Sequence, residues 1–138
     1  MKKNGILVRK LAEMEETLRR LQSYLPSTYE EFAKDWGRQK IVERALQILI
    51  EAMIDIGERL IALSGGLPPE TSASVMERLE ELGVVQNADR YIPMIRFRNF
   101  LVHQYERVDL AILYGIGTRK LGDVEAFIME VKAYVEAH

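Results

Sequence analysis

Apolar residues recur along most of this chain at intervals of three and four, the spacing that places one greasy stripe on an α-helix. From Ile6 to about Tyr24 the stripe runs through Leu7, Leu11, Met14, Leu18 and Leu21, with Leu25 just beyond it. Pro26, Ser27 and Thr28 interrupt the pattern, and "YEEFAKD" then offers a short helical turn. Asp35 is suited to cap a long helix that continues without proline to Leu63 and closes on "SGG". After the loop "LPPETS", Ser74 with Glu77 has the spacing of a capping box, and Gly83 marks a stop. A further helix starts between Asn87 and Pro93, Asp109 caps the segment "LAILYGIG", and a last helix runs from Thr118 to about Ala137. Nothing alternates as paired strands do. The pattern predicts an all-α fold, an antiparallel bundle of four to five helices over residues 1–138 as one domain.

Composition narrows the picture further. Of 138 residues, 48% are apolar and 29% charged, enough hydrophobic material for a core and too much for a disordered chain. With no cysteine there is no disulfide, thiolate metal site or cysteine nucleophile, which points to a cytosolic compartment. No apolar run reaches the roughly 18 residues that cross a bilayer, and "MKKNGILVRKLAEMEE" lacks a signal-peptide core. A cytoplasmic protein without a membrane partner is the expectation. The formal charge of −2 excludes a globally basic nucleic-acid binder, so any phosphate contact must be local. Local cations stand in "GRQK" after Trp36, in the set Arg90, Arg96, Arg98 and Arg107, and in Arg119 with Lys120. All but the set around His103 read as ordinary solvated charges. The carboxylates Glu43, Glu51, Asp55 and Glu58 read as mostly outward-facing on the second long helix; Asp55, between two isoleucines, is the one able to reach inward and orient a cation such as Arg98, although an outward position accounts for it better.

One stretch breaks the amphipathic rule. In "RFRNFLVHQYERVD", read as a helix at about 100° per residue, Tyr91, Met94, Ile95, Leu101, Val102 and Tyr105 share a face, and Arg98 lies within the same arc. A guanidinium aimed inward costs several kcal/mol unless an ion pair or an anionic ligand compensates it. His103 is one of two histidines; the other, His138, is the last residue, where fraying rather than fixed geometry is expected. On an ideal helix His103 projects about 140° from Arg98, nearer Arg96 and Asn99. The two side chains meet if the helix loosens after Val102 or if a second copy presents its own pair across a two-fold axis. Chemistry favours the second arrangement. Cleavage of RNA by its own 2′-hydroxyl wants one group to accept a proton and another to give one to the leaving oxygen, and a symmetric dimer supplies two histidines. Arg98 is then placed to stabilise the charge on the phosphorus oxygens. No cluster of ligand residues has metal-binding spacing, so neither metal nor cofactor is expected.

The string "RNFLVHQY" resembles the signature of HEPN-domain ribonucleases, and its continuation to Tyr105 narrows the likeness to the HepT toxins of HepT/MntA toxin–antitoxin pairs. The resemblance extends more loosely through "VERALQILIEAMIDIGERLI", "LEELGVV" and the region after "HQYERVD". It implies a homodimeric HEPN-like endoribonuclease acting on RNA without metal, with Arg98 and His103 as the catalytic pair and Asn99 as the polar residue beside them. It further implies Tyr105 as the hydroxyl that an MntA-like nucleotidyltransferase antitoxin modifies with adenylate, in the dimer or a higher assembly with the antitoxin. Arg96 is a candidate RNA contact, although a solvated charge accounts for it equally. The competing reading is a non-catalytic helical interaction or nucleotide-binding module that partners a nucleotidyltransferase and uses Arg98 only to hold a phosphate.

Overall fold

The computed structural model describes residues 2–102 and 109–138. Among them the all-α reading holds, with no strand and with seven α-helices: α1 (Lys2–Tyr24), α2 (Tyr29–Lys34), α3 (Trp36–Leu63), α4 (Ser72–Glu81), α5 (Ile92–Val102), α6 (Leu110–Arg119) and α7 (Leu121–Ala137). The count passes five because "YEEFAKD" forms a helix of its own and because a break at Lys120 separates α6 from α7. None of these helices is long and apolar enough to cross a membrane.

The core follows from the stripes. Leu7, Leu11, Met14, Leu18 and Leu21 of α1 are all buried. They pack on α3, which is the hub of the bundle: α1, α2, α4, α5 and α6 all lean on it, and α7 closes over α1 and α6. Along α3, Val42, Leu46, Leu49, Ile50, Met53 and Ile56 are wholly buried. At about 1.5–3 kcal/mol for each large apolar side chain removed from water, these two stripes carry much of the drive for folding. Gly57 lets α4 approach α3 closely: a Cβ there would run into Val75 Cγ1 and lie 3.2 Å from Leu79 Cδ1.

Helix ends follow local chemistry, with one correction. Asp35 caps α3 by accepting from Arg38 N–H at 3.0 Å, and Asp109 caps α6 by accepting from Ala111 and Ile112 N–H at 2.9 and 3.2 Å. The α4 cap is Thr71 rather than Ser74. Thr71 Oγ1 accepts from Ser74 N–H at 3.1 Å, and Ser74 occupies the third helical position, since the loop already offers a hydroxyl one turn earlier. α3 and α4 both stop in a Schellman turn. Gly65 (φ 85°) and Gly83 (φ 79°) take the left-handed position, and Gly66 and Val84 return N–H bonds to Ile61 and Leu79 at 3.0 and 2.9 Å.

Candidate functional site

The approach to α5 is fastened by carboxylates before any candidate residue is reached. After α4, Glu80 Oε1 accepts from Ala88 N–H at 2.7 Å, and Glu130 Oε2 of α7 accepts from Gln86 N–H at 2.7 Å. The other Glu130 oxygen accepts from the Tyr91 hydroxyl, and Asp123 accepts from Arg90 Nε at 2.9 Å. Burial first, and then the adjacent Glu130 charge, push the Tyr91 phenol well above its ordinary value, so it stays a donor at physiological pH. A single 3-10 turn, Ala88–Arg90, is capped by Asn87 and turns the chain into α5. Pro93 falls in the first turn of α5, where its missing N–H has no partner to lose. None of these clasps is signalled by a motif, because Glu80, Asp123 and Glu130 look like surface charges in the sequence.

Of the expected face, the described part is buried and slightly wider, while the Val102 side chain and Tyr105 lie outside what the structure describes. Tyr91, Met94, Ile95 and Leu101 are buried, and so is Phe97, which stacks on Phe100 with centroids 5.1 Å apart. Arg98 is half-buried on this helix. Its Nε is shut away from water and has no hydrogen-bond partner, and it forms no ion pair among the described residues. Asn99 and Arg96 are exposed, on the side that faces solvent. Asp55 does not orient Arg98. Lys10 at 2.7 Å and Arg59 at 3.4 Å occupy its carboxylate. Burial alone would raise the Asp55 pKa, but these two cations outweigh it and hold the carboxyl below its ordinary value.

His103, Tyr105 and Arg107 lie outside the described residues, so Arg98 and Asn99 are the members of the expected constellation that the structure places. His138, expected to fray, instead stacks on Tyr134 with centroids 4.1 Å apart and donates from Nδ1 to the Tyr134 carbonyl at 2.9 Å. It finishes a helix and has no part in the α5 arrangement.

A half-buried guanidinium whose Nε–H is unmet among the described residues has the chemistry to take an anionic partner. Burying such a group unpaired is costly, whereas a phosphate oxygen supplies both the charge and the acceptor. Residues 14–131 match the family described as Ribonuclease HepT-like. The chain belongs to the HepT-like ribonuclease family. It is 27% identical over 132 residues to the mRNA nuclease HepT of Shewanella oneidensis, an alignment that covers 94% of this chain and 98% of that one. Among solved structures, the tri-AMPylated Shewanella oneidensis HEPN toxin in complex with MNT antitoxin superposes with a TM-score of 0.84 at 27% identity, covering 94% and 98% of the two chains. A toxin–antitoxin complex with AMP-PNP gives 0.85 at 26% identity, covering 94% and 99%. The HepT-like bundle therefore runs through nearly the whole sequence, and the motif residues fall on α5 and the segment that follows it.

Proposed function

We propose that this chain is the endoribonuclease toxin of a toxin–antitoxin pair, cleaving RNA at a composite site in the cleft of a homodimer. The observation that carries the reading is the Arg98 Nε, buried without a partner on α5 and followed in sequence by His103, in a HepT-like chain. His103 takes the proton from a ribose 2′-hydroxyl, whose oxygen forms a bond to phosphorus. The bond from phosphorus to the 5′-oxygen breaks, and the partner subunit's His103 gives that oxygen a proton. Products are a 2′,3′-cyclic phosphate and a 5′-hydroxyl. Arg98 holds the non-bridging oxygens as their charge grows, and Asn99 offers a neutral donor beside it. The route runs on two proton transfers and one fixed cation, so it requires no metal. Arg96, exposed two residues before Arg98, is the candidate contact for a flanking phosphate.

Control is proposed to come from an MntA-like nucleotidyltransferase. The Tyr105 hydroxyl attacks the α-phosphorus of ATP, pyrophosphate leaves, and the tyrosine carries adenylate. The added phosphate charge repels the RNA backbone and competes for Arg98. Support comes from the relatives, one of which is a tri-AMPylated toxin bound to its MNT antitoxin.

The test is cleavage of RNA by purified wild-type and His103→Ala protein, with end-group analysis. Cyclic phosphate ends from the wild type and none from the variant, with circular dichroism and dimer mass unchanged, are expected. Full cleavage by His103→Ala removes the assigned role. The overall charge of −2 favours a second reading, a helical module that binds the transferase without cleaving. That reading gains if unmodified wild-type protein yields no ends.

A further inference from the structure

The ribonuclease reading accounts for α5 and leaves a second cationic region unexplained. Between the C-terminal half of α1 and the N-terminal half of α3 runs an open groove of about 480 Å³, and no residue of α5 lines it. Its walls carry Arg20, Lys40 and Arg44, and its lining holds no carboxylate. Tyr24, Ile41 and Ile48 complete it, each about 40% exposed. Trp36 does not line the groove but neighbours it through Lys40, whose Nζ is 5.9 Å from the indole ring centre; Trp36 is 71% exposed, and the Arg38 guanidinium sits 5.9 Å from the Tyr24 ring. Of the "GRQK" cations that read in sequence as ordinary solvated charges, Lys40 thus lines the groove together with Arg20 of another helix, while Arg38, paired with Asp35 at 3.0 Å, sits beside Tyr24.

Charge decides between occupants. A second copy docked here by a two-fold axis would set Arg20, Lys40 and Arg44 against themselves, which opposes self-association. A polyanion with flat apolar faces matches the groove: phosphates along the cationic walls, a base on Tyr24 and a further one on the neighbouring Trp36, sugar edges against the isoleucines. Glu16 holds Arg20 at 2.9 Å and Glu43 lies 3.5 Å from Lys40, but exposed pairs of this kind are worth under about 1 kcal/mol and exchange readily for phosphate. Arg44 has no ion pair among the described residues.

We propose that the α1/α3 groove is a second RNA-binding surface, a track for single-stranded RNA outside the Arg98 site. The proposal rests on the ribonuclease reading and deepens it: the substrate is a strand long enough to reach both places, bound without base specificity.

Trp36 is the chain's one tryptophan and reports on the groove through Lys40, which lines it and sits 5.9 Å from the Trp36 ring. The probe is a 2′-O-methyl RNA 12-mer, which lacks the attacking hydroxyl and binds without being cut. It is titrated into the wild-type homodimer and the variants Arg44→Glu and Lys40→Glu, with Trp36 emission and oligomer anisotropy read together. Quenching of Trp36 is expected, with affinity at least about fivefold weaker in each variant and a salt slope smaller by about 0.7 per phosphate contact removed. Cleavage of a dinucleotide, too short to span, should be unchanged in both variants. Anisotropy that rises without Trp36 quenching, or equal affinity in all three proteins, overturns the proposal. So does a blue shift of Trp36 on adding the nucleotidyltransferase that RNA fails to reproduce, since a protein then covers the groove. Loss of cleavage chemistry altogether would instead count against the Arg98 and His103 assignment, and the uncut oligomer still reads the groove.

Discussion

The two ends of this molecule's architecture are held by different forces. The α1–α3 pair is a hydrophobic joint: buried leucine, isoleucine and methionine faces meet along a helix of 28 residues, and the one buried polar side chain described on α3, Gln39, donates to the Phe32 and Ala33 carbonyls near its start. The segment entering α5 is a polar joint in which Glu80, Asp123 and Glu130 take up backbone N–H groups, the Tyr91 hydroxyl and a guanidinium. Packing of the first kind is strong and tolerant of small shifts in position. Directional bonds of the second kind fix a rotation and a register. Arg98 sits just beyond the polar joint, so the residue with an unmet N–H is carried by a helix whose approach is fixed by directional bonds.

Breaking the hydrophobic joint should give the largest effect. Leu46→Ala or Leu49→Ala, both wholly buried, should destabilise the fold by about 2–5 kcal/mol in denaturant titration. Arg98→Ala should separate stability from activity: cleavage falls by about 10²–10³, while the melting temperature holds or rises because an uncompensated half-buried cation has gone. A melting temperature several degrees lower would show that Arg98 is a structural ion-pair member instead.

The polar joint should respond next. Glu130→Ala strands the Gln86 N–H and the Tyr91 hydroxyl, costing about 1–3 kcal/mol, with faster amide exchange at Gln86 as its signature. Tyr91→Phe should cost about 1 kcal/mol and also change the alkaline limb. The native Tyr91 pKa is raised above 10.0, so its contribution is present below that pH and fades as pH climbs through the native value; the phenylalanine variant should lose that slope. Gly57→Ala sets a helix-propensity gain of up to about 1 kcal/mol against overpacking on Val75, a β-branched side chain with little freedom to turn away. A net loss of about 1–2 kcal/mol is expected in thermal melts.

The smallest effect belongs to Asp55. Its carboxyl is held below 3.8 by Lys10 and Arg59, so the pair contributes above that pH and its contribution disappears as pH falls through the lowered native value. With the carboxylate 42% exposed, Asp55→Asn should cost under about 1 kcal/mol, an amount visible only at low salt.

Most of the fold was legible before any coordinate. The α1 stripe, the Asp35 and Asp109 caps and the Gly83 stop depend on residues within one or two turns of each other, where spacing alone specifies geometry. Even the local miss is instructive. Thr71 and Ser74 both carry a capping hydroxyl, and the earlier one captures the helix because it adds a turn. The candidate site was legible as a motif, through Arg98 among apolar neighbours, but its electrostatics were not. Asp55 looked able to reach Arg98, and its carboxylate instead meets Lys10, 45 residues away on α1.

By itself, then, the order of residues determined which segments are helical, which face of each is buried, and that one arginine is aimed against the grain of its helix. Those properties arise from contacts between near neighbours along the chain. Only the tertiary structure decided which carboxylates hold the entry to α5, since Gln86 and Glu130 are 44 positions apart, and which cations line the α1/α3 groove, since Arg20 and Lys40 belong to different helices. A side chain's partners at that range are set by how helices pack, and packing answers to the sum of the apolar faces rather than to any polar residue's own surroundings in sequence.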